Sequence, residues 1–261
     1  MILEPLTNQQ KHIPNFLYKF RFINTNQFQK LFNHKEPNTV QDWLKDLKDK
    51  GYIVSMYTRK VRGENNKPAV YYLASKARHL LKNEEGIELK ALNLIYKEKR
   101  RTKKFIDHSL NLVDICLFLL SRKEAVEEIK FFTKTTLTGY DYFPKPHPDA
   151  YIVVKGKNKT KRYFLDLFDD YTPPFVYRNR VKQYLKYSQE GEWAVNTKNA
   201  PFPKILFVCP NESAKKHVYW YGKSVIAKSF EQVKLHVTTI DTIKFANADT
   251  KVWQDVEEIE D

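Results

Sequence analysis

The feature that most restricts the fold of this chain is a short apolar run near its carboxyl-terminal end. Residues 204–209 read KILFVC, the pattern of a strand that is buried on both faces. Such a strand needs helices packed over its sheet, and helical patterns occur on either side of it, at 174–189 and 212–228. The second half of the chain is therefore expected to form an α/β domain.

Other segments of this half complete the order of elements. The residue pattern predicts a helix over 105–122 and further strands over 128–132, 148–155, 162–168 and 234–238. The order α-β-β-β-α-β-α-β corresponds to an α/β sandwich around a central mixed sheet, which we assign to residues 105–250. The end of the chain, 251–261, is an acidic tail that we expect to lie in solvent.

The first half of the chain carries shorter helical patterns. Apolar residues recur with helical spacing after Thr7, Thr25 and Asn38, and each of these residues can cap a helix. Gln41 stands three residues after Asn38, which is the spacing of a capping box, and Gly51 is expected to end the third helix. Three helices are therefore predicted before the first hairpin.

A basic hairpin is predicted after the third helix. Two β-prone segments, 52–59 and 69–73, flank a polar turn, and a short helix over 75–82 follows. Three helices followed by a hairpin are the layout of a winged helix-turn-helix, which we assign to residues 1–82. The alternative is a winged fold that contacts only protein. With the second half, the expected fold class is α/β (α+β).

The third predicted helix and the hairpin present groups that suit duplex DNA. The helix fits the major groove, and its outward positions offer amides, a hydroxyl and ammonium groups to base edges and phosphates. These positions are Asn38, Thr39, Gln41, Lys45 and Lys48. The hairpin cations that would contact the DNA backbone are Arg59, Lys60, Arg62 and Lys67.

The charge of the chain also favours a polyanion as partner. Lys and Arg number 45 against 31 Asp and Glu, which gives +14 at pH 7 and an isoelectric point of about 9.5. We assign 83–104 to a basic linker helix, in which Lys99, Arg100 and Arg101 contact phosphates. The alternatives are a solvated helix face and a soluble lysine-rich protein without such a partner.

Two aspartates in neighbouring predicted strands indicate a metal site. Asp149 begins one strand after a proline, and Asp166 lies in the next strand, so pairing of the strands would bring the carboxylates together. Two close carboxylates repel each other, and Mg²⁺ relieves that repulsion while it activates water for phosphodiester cleavage. The alternative is that Asp149 only caps a turn.

Composition and motifs exclude several classes of protein. The most apolar stretch, 110–120, contains Asn111 and Asp114 and is too short to span a bilayer, so no membrane partner is expected. Cys116 and Cys209 lie in apolar runs, which favours buried thiols in a reducing, cytoplasmic location. The sequence has no glycine-rich phosphate loop and no zinc-ligand spacing, so it gives no support to nucleotide hydrolysis or a zinc site.

Several short motifs resemble those of the replication-relaxation family of plasmids and integrative elements. They are Pro148-Asp149-Ala150, the segment 163–167 (YFLDL) and the basic stretch from Arg178 to Tyr184, together with 105–110 (FIDHSL) and 202–208. Members of the family join a winged helix to a domain similar to the PD-(D/E)XK nucleases. By this resemblance Pro148-Asp149 corresponds to PD, and Asp166-Leu167-Phe168 stands where that motif has (D/E)XK.

The resemblance implies a DNA-binding protein of a mobile genetic element that acts in plasmid replication or mobilisation. Its partners would be double-stranded DNA and a replication or relaxase protein, and paired DNA half-sites would suit a homodimer. Two alternatives remain. The first is a Mg²⁺-dependent DNA nicking or cleaving endonuclease. The second is a transcriptional regulator whose second domain senses a ligand or dimerises.

One departure from the nuclease motif bears on catalysis. The lysine of the motif falls on Phe168, which can neither polarise a phosphate nor orient water, and Lys182 on the following helix is the substitute best placed by sequence. If the domain is active, Asp149, Asp166 and Lys182 are expected to be catalytic. Asp114 would join the two aspartates as a Mg²⁺ ligand, with Glu124 or Glu127 as alternatives to it. If it is inactive, no cofactor is expected.

Overall fold

The computed structural model describes residues 4–56, 67–122, 127–229, 233–247 and 250–257. The chain divides into two compact units, Met1–Leu117 and Phe118–Asp261. The boundary between the units falls inside the helix predicted over 105–122, which the sequence pattern assigns wholly to the second domain. None of the helices in the described ranges is long and apolar enough to cross a membrane.

The first unit begins with three helices and a small sheet. Its elements are α1 (Asn8–Phe20), β1 (Ile23–Asn24), α2 (Thr25–Phe32), α3 (Pro37–Asp49), β2 (Ile53–Met56) and β3 (Val70–Leu73). The strands are antiparallel in the order β1-β3-β2. Strand β1 has only two residues, too few to show a period, and the sequence pattern did not predict it. The order of three helices followed by the β2–β3 pair agrees with the order of elements predicted for this half of the chain.

Side-chain caps explain where two of these helices begin. Thr7 and Gln10 form a capping box at the start of α1, as the position of Thr7 predicts. Helix α2 is capped by Asn24 in a capping box with Gln27, one residue before the predicted Thr25. The sequence pattern thus located both helices, with an error of one residue in the second.

The start of α3 differs from the prediction. The helix begins at Pro37, and Glu36 at the cap position makes no side-chain cap bond, so the predicted Asn38–Gln41 capping box is wrong. A proline at the first helical position already has the required φ and lacks an N–H that would need a partner, which accounts for the earlier start. The end is as predicted, since Gly51 follows the helix with φ +75°.

The rest of the first unit is built from short helices and one long helix. A single 3₁₀ turn covers Ser75–Ala77, and a longer 3₁₀ segment covers Ile95–Arg100. The α-helices are α4 (Arg78–Leu81), α5 (Leu89–Leu92) and α6 (Lys103–Ser121). The predicted basic linker helix over 83–104 is therefore not continuous, because it is divided into α5, a 3₁₀ segment and the start of α6, with extended backbone at Arg101. Lys99 and Arg100 lie on the 3₁₀ segment, and Arg101 follows it.

The second unit is a six-stranded mixed sheet with helices. Its strands are β4 (Glu128–Thr133), β5 (Ala150–Lys155), β6 (Thr160–Leu167), β7 (Lys204–Cys209), β8 (Leu235–Thr239) and β9 (Gln254–Asp255). They lie in the order β4-β5-β6-β7-β8-β9. The helices are α7 (Pro174–Glu190), α8 (Glu192–Asn196), α9 (Glu212–Ile226) and α10 (Ile240–Phe245). The predicted mixed-sheet α/β fold class is confirmed.

Strand direction in this sheet follows from the connections. Strands β4, β5 and β6 pair antiparallel, whereas β6, β7 and β8 pair parallel. Each parallel pair needs a crossover, and α7 and α9 provide the two crossovers. Strand β7 lies inside the sheet, and Ile205–Cys209 are buried, as the apolar run predicts.

The carboxyl-terminal end is more ordered than the sequence pattern suggests. Strand β9 pairs antiparallel with β8, and Val252 and Val256 are buried in the core of the unit. The expectation that residues 251–261 lie in solvent is therefore wrong for the part that the structure describes, up to residue 257. Val252 and Val256 supply the apolar surface that packs this segment against the rest of the unit.

Candidate functional site

Helix α3 separates an apolar face from a polar face. Val40, Leu44 and Leu47 have no exposed surface and fix the helix in the core of the first unit. The predicted DNA-contacting residues of this helix lie on the other side, where Asn38, Gln41, Lys45 and Lys48 are exposed and Thr39 is half-buried. The packing of α3 therefore presents these polar groups together to solvent.

The structure describes one of the four cations predicted for the hairpin. Arg59, Lys60 and Arg62 lie outside the described residues, whereas Lys67, three residues before β3, is exposed. Strands β2 and β3 pair from Ile53 with Leu73 to Met56 with Val70. A hairpin does therefore follow α3, as predicted.

The basic segment divides into exposed and internal cations. Lys99 and Arg100 are exposed. Arg101 is half-buried, with its guanidinium 4.4 Å from the ring centroid of Phe105 and its Nε 3.8 Å from Glu98 Oε2. Glu98 is 2% exposed and also forms an ion pair with Arg21. Arg101 thus has a structural role that the charge pattern did not reveal.

The antiparallel pairing of β5 and β6 places the two predicted aspartates opposite each other. Ala150 pairs with Leu165, so Asp149 and Asp166 are the next positions on the two strands. One carboxylate oxygen of Asp149, Oδ2, accepts a hydrogen bond of 2.9 Å from the backbone N–H of Leu167. Asp149 is half-buried, whereas Asp166 is only 7% exposed.

The carboxylate of Asp166 is held by two side chains of α7. Arg180 donates from Nε to Asp166 Oδ2 at 2.9 Å, and the hydroxyl of Tyr184 donates to the same oxygen at 2.6 Å. Arg180 also donates to the hydroxyl of Tyr184 and, at 2.7 Å, to the carbonyl oxygen of Pro146. These contacts form one closed network of buried polar groups.

The pKa values in this network are shifted because its charged groups are buried and close to one another. Burial raises the pKa of the Asp166 carboxyl, and Asp149 raises it further, while the guanidinium of Arg180 opposes the rise. Burial and the two nearby anionic groups raise the pKa of Tyr184 well above its usual value, so its hydroxyl remains a donor. Arg180 supplies the positive charge that lets two carboxylates lie close together.

The two residues considered for the place of the motif lysine, Lys182 and Phe168, lie outside this polar network. Lys182 is on the exposed face of α7, whereas Arg180, Val181 and Tyr184 are on its buried face. Phe168 is a core residue, with its ring centroid 4.7 Å from that of Tyr177 and 4.9 Å from that of Phe207. The cation that contacts Asp166 is therefore Arg180, not Lys182.

The surroundings of Asp149 and Asp166 do not fit a Mg²⁺ ion as they stand. Such an ion takes about six oxygen ligands, and Asp166 Oδ2 already accepts from Arg180 and Tyr184. Within the described residues, no group of three or more His, Cys, Asp and Glu side chains is arranged to hold a metal. This polar network is a packed charge cluster rather than an open coordination site.

The other proposed metal ligands have separate places in the chain. Asp114 lies on α6 in the first unit, where its Oδ1 accepts a 2.7 Å hydrogen bond from Gln27 Nε2. Glu127 is exposed just before β4, and Glu124 lies outside the described residues. Asp114 therefore helps to hold α2 against α6 through Gln27.

Arg180 and Tyr184 are the functional-site candidates that sequence reasoning missed. Both were inside the basic stretch named for its resemblance, but neither was assigned a role there. A signal was present, because Tyr177, Arg180, Val181 and Tyr184 follow helical spacing on one apolar face. A cation within such a face needs a buried anionic partner, and Asp166 is the anion in the preceding buried strand.

Comparison with known proteins links most of the chain to a family. Residues 15–202 match the family described as replication-relaxation. This stretch includes α2, α3 and the strands that place Asp149 and Asp166. A comparison with curated proteins finds no match.

Among solved structures, two of the restriction endonuclease FokI align loosely. One has a TM-score of 0.34 and 12% identity, and covers 92% of this chain and 45% of that one. The second, FokI bound to DNA, has a TM-score of 0.30 and 16% identity, and covers 94% of this chain and 45% of that one. The chain spans less than half of either FokI chain, and a likeness this loose assigns no function.

Proposed function

This chain belongs to the replication-relaxation family, and we propose that it is a DNA-binding protein of a mobile genetic element. In this proposal it acts in plasmid replication or mobilisation. The first unit recognises duplex DNA through α3 and the following hairpin. The nuclease-like second unit serves to bind a further DNA segment or a partner subunit, not to cleave DNA.

The exposed face of α3 is the observation that carries the proposal. Asn38 and Gln41 offer amide donors and acceptors to base edges, and Lys45 offers an ammonium group to phosphates. The opposite face is packed in the core, so the helix can enter a groove as a rigid element. The topology of the first unit, three helices with a β2–β3 hairpin, supports this docking.

The charge balance supports the same partner. The net charge of +14 favours association with a polyanion, and the described cations of α3 and of the 95–104 segment add to it locally. Both cysteines are free and buried, which supports a cytoplasmic location as part of the proposal.

The polar network of the second unit supports a binding role over cleavage. The side chain that would bind metal, Asp166, is instead neutralised by Arg180 and Tyr184. Such a buried network holds α7 against β6 and stabilises the unit. In the proposed function, this network keeps rigid the surface of the second unit that binds DNA or a partner.

The test is a comparison of two triple variants with the same residue types. In vitro selection from random duplexes first defines a preferred site for the full chain. The test variant is Asn38→Ala, Gln41→Ala and Lys45→Ala on α3. The control variant is Asn8→Ala, Gln9→Ala and Lys11→Ala on α1, where all three side chains are exposed as well.

We expect the α3 variant to lose the preference for the selected site in gel shifts, with the α1 variant unchanged. Failure to select any preferred sequence, or equal effects of both variants, would overturn the proposal. The position of the selected site within the mobile genetic element distinguishes a role in replication or mobilisation from a role in transcriptional regulation. A site at a replication or transfer origin supports the proposal, whereas a site confined to the promoter of its own gene favours the regulator.

A further inference from the structure

The outer face of α9 is basic and carries an exposed tryptophan. From Ser213 to Ser229 the sequence contains four lysines and no aspartate or glutamate. Trp220 is 61% exposed, although tryptophan is usually well buried. The opposite face is packed so tightly that a Cβ on Gly222 would lie 2.7 Å from Leu235 Cδ2. The core therefore fixes which face of α9 is presented.

Neighbouring side chains hold the indole of Trp220 in position. The ring of Tyr219 meets it edge to face, with centroids 5.2 Å apart and an interplanar angle of 87°. The ammonium group of Lys223 lies 5.7 Å from the Trp220 centroid and 5.6 Å from that of Tyr219. Tyr219 is itself 4% exposed, so it anchors the pair to the core.

Two lysines flank the indole along the helix. Lys216 lies four residues before Trp220 and Lys223 three residues after it, so all three share one face. At a rise of 1.5 Å per residue, the two lysines are about 10 Å apart along the axis, one on each side of the ring. Lys215 is different, because it forms an ion pair with Glu212 at 3.1 Å.

This combination of groups suits a single nucleic-acid strand. An unpaired base has a free face that can stack on an aromatic ring, and cations beside the ring can contact the adjacent phosphates. In a duplex the bases are already stacked on each other, so an indole on a helix surface cannot stack on them without distorting the DNA. The lysines favour a polyanion over a neutral protein surface, and the exposed indole of Trp220 favours unpaired bases over a duplex.

We infer that the face of α9 formed by Lys216, Trp220 and Lys223 binds single-stranded nucleic acid, with one base stacked on Trp220. This inference rests on the proposed DNA-binding function and names the form of DNA that the second unit takes. A replication or mobilisation protein that holds duplex DNA on one unit and an unwound strand on the other would stabilise an opened site.

The test uses the full chain and a fluorescein-labelled oligothymidylate as probe. Binding is measured by fluorescence anisotropy for the wild type, Trp220→Ala, Trp220→Phe and Phe245→Ala. Phe245 is the matched control, because it is an 85% exposed aromatic residue on α10 in the same unit. The quenching of tryptophan fluorescence by unlabelled oligothymidylate is compared between the wild type and Trp220→Phe.

We expect Trp220→Ala to weaken binding at least about fivefold, Trp220→Phe to retain most of it, and Phe245→Ala to match the wild type. The quenching seen with the wild type should be lost in Trp220→Phe. Unchanged binding by Trp220→Ala, or equal losses in Trp220→Ala and Phe245→Ala, would overturn the inference. A change in oligomeric state of Trp220→Ala with unchanged binding would also overturn it and favour a protein partner.

Duplex binding separates this inference from the proposed function. If Trp220→Ala still binds the selected duplex while it loses oligothymidylate, both stand. If the wild type binds the duplex but not oligothymidylate, only the inference fails. If the wild type binds oligothymidylate but no duplex, the duplex role of α3 fails.

Discussion

Arg180 Nε lies 2.9 Å from Asp166 Oδ2, and the two side chains are only 6% and 9% exposed. This ion pair crosses from α7 to β6 at the place where the nuclease motif would put its metal ligands. The guanidinium of Arg180 therefore supplies, beside the carboxylate of Asp166, the positive charge that a metal ion would otherwise provide. This ion pair is the reason why the proposed function assigns binding, and not cleavage, to the second unit.

Removal of Arg180 should be strongly destabilising. Arg180→Met leaves the buried carboxylate of Asp166 without its cation, and we expect a loss of roughly 3–5 kcal/mol in the free energy of unfolding. Lys182→Met, two residues away on the exposed face, should stay within about 0.5 kcal/mol of the wild type. Urea unfolding measures both.

A double variant checks that the cost comes from the ion pair. Arg180→Met combined with Asp166→Asn should be clearly more stable than Arg180→Met alone, since the uncompensated charge is gone. A double variant as unstable as the sum of the two single variants would show that the two side chains act independently.

The hydroxyl of Tyr184 should also contribute to stability. Tyr184→Phe keeps the ring but removes the donor to Asp166 and the acceptor for Arg180, for an expected cost of about 1–3 kcal/mol. Tyr171→Phe is the control, because Tyr171 is 86% exposed. Equal unfolding curves for Tyr184→Phe and the wild type would mean that the network is not needed to hold α7.

Phosphate contacts by α3 predict a specific salt dependence. Lys45→Ala should weaken duplex binding for all sequences and lower the slope of log K against log salt concentration by about 1. Lys11→Ala on α1 should leave the slope unchanged. The slope is obtained from anisotropy titrations over a range of salt concentrations, and an unchanged slope for Lys45→Ala would exclude Lys45 from the interface.

The two cysteines should be unreactive in the folded protein. Burial raises the pKa of the Cys116 thiol to about 11 and that of Cys209 to about 12, so very little thiolate forms near pH 8. Ellman's reagent should label neither in the native state and both in denaturant. Fast labelling of either thiol in the native protein would contradict the packing around it.

Much of the fold could be read from local patterns. The apolar run of β7 and the helical spacing in α1 and α3 predict their elements. Burial on both faces of a strand leaves a continuous apolar run, whereas burial of one stripe of a helix leaves a period of about 3.6 residues. The two strands predicted on either side of the turn at 156–159 also made it possible to predict that Asp149 and Asp166 lie next to each other. Adjacent antiparallel strands allow this inference without knowledge of the rest of the fold.

The remaining features depend on contacts between distant segments. Arg180 was assigned no role, because the helical spacing that places it on an apolar face does not by itself identify Asp166 as its partner. Arg101 was likewise read as a phosphate contact, although Glu98 and Phe105 hold it. The short strand β9 was not predicted, because its two polar residues indicate neither the pairing with β8 nor the burial of the adjacent Val256.

The most direct test of this account is an assay that scores the binding and the cleavage of supercoiled plasmid in one reaction with Mg²⁺ or Mn²⁺. The wild type is compared with Asp149→Asn plus Asp166→Asn, which keeps the size of both side chains. The account predicts a retarded but intact plasmid with both proteins. Nicked or linear plasmid formed by the wild type and not by the double variant would contradict it, and would establish a nuclease with Phe168 at the lysine position.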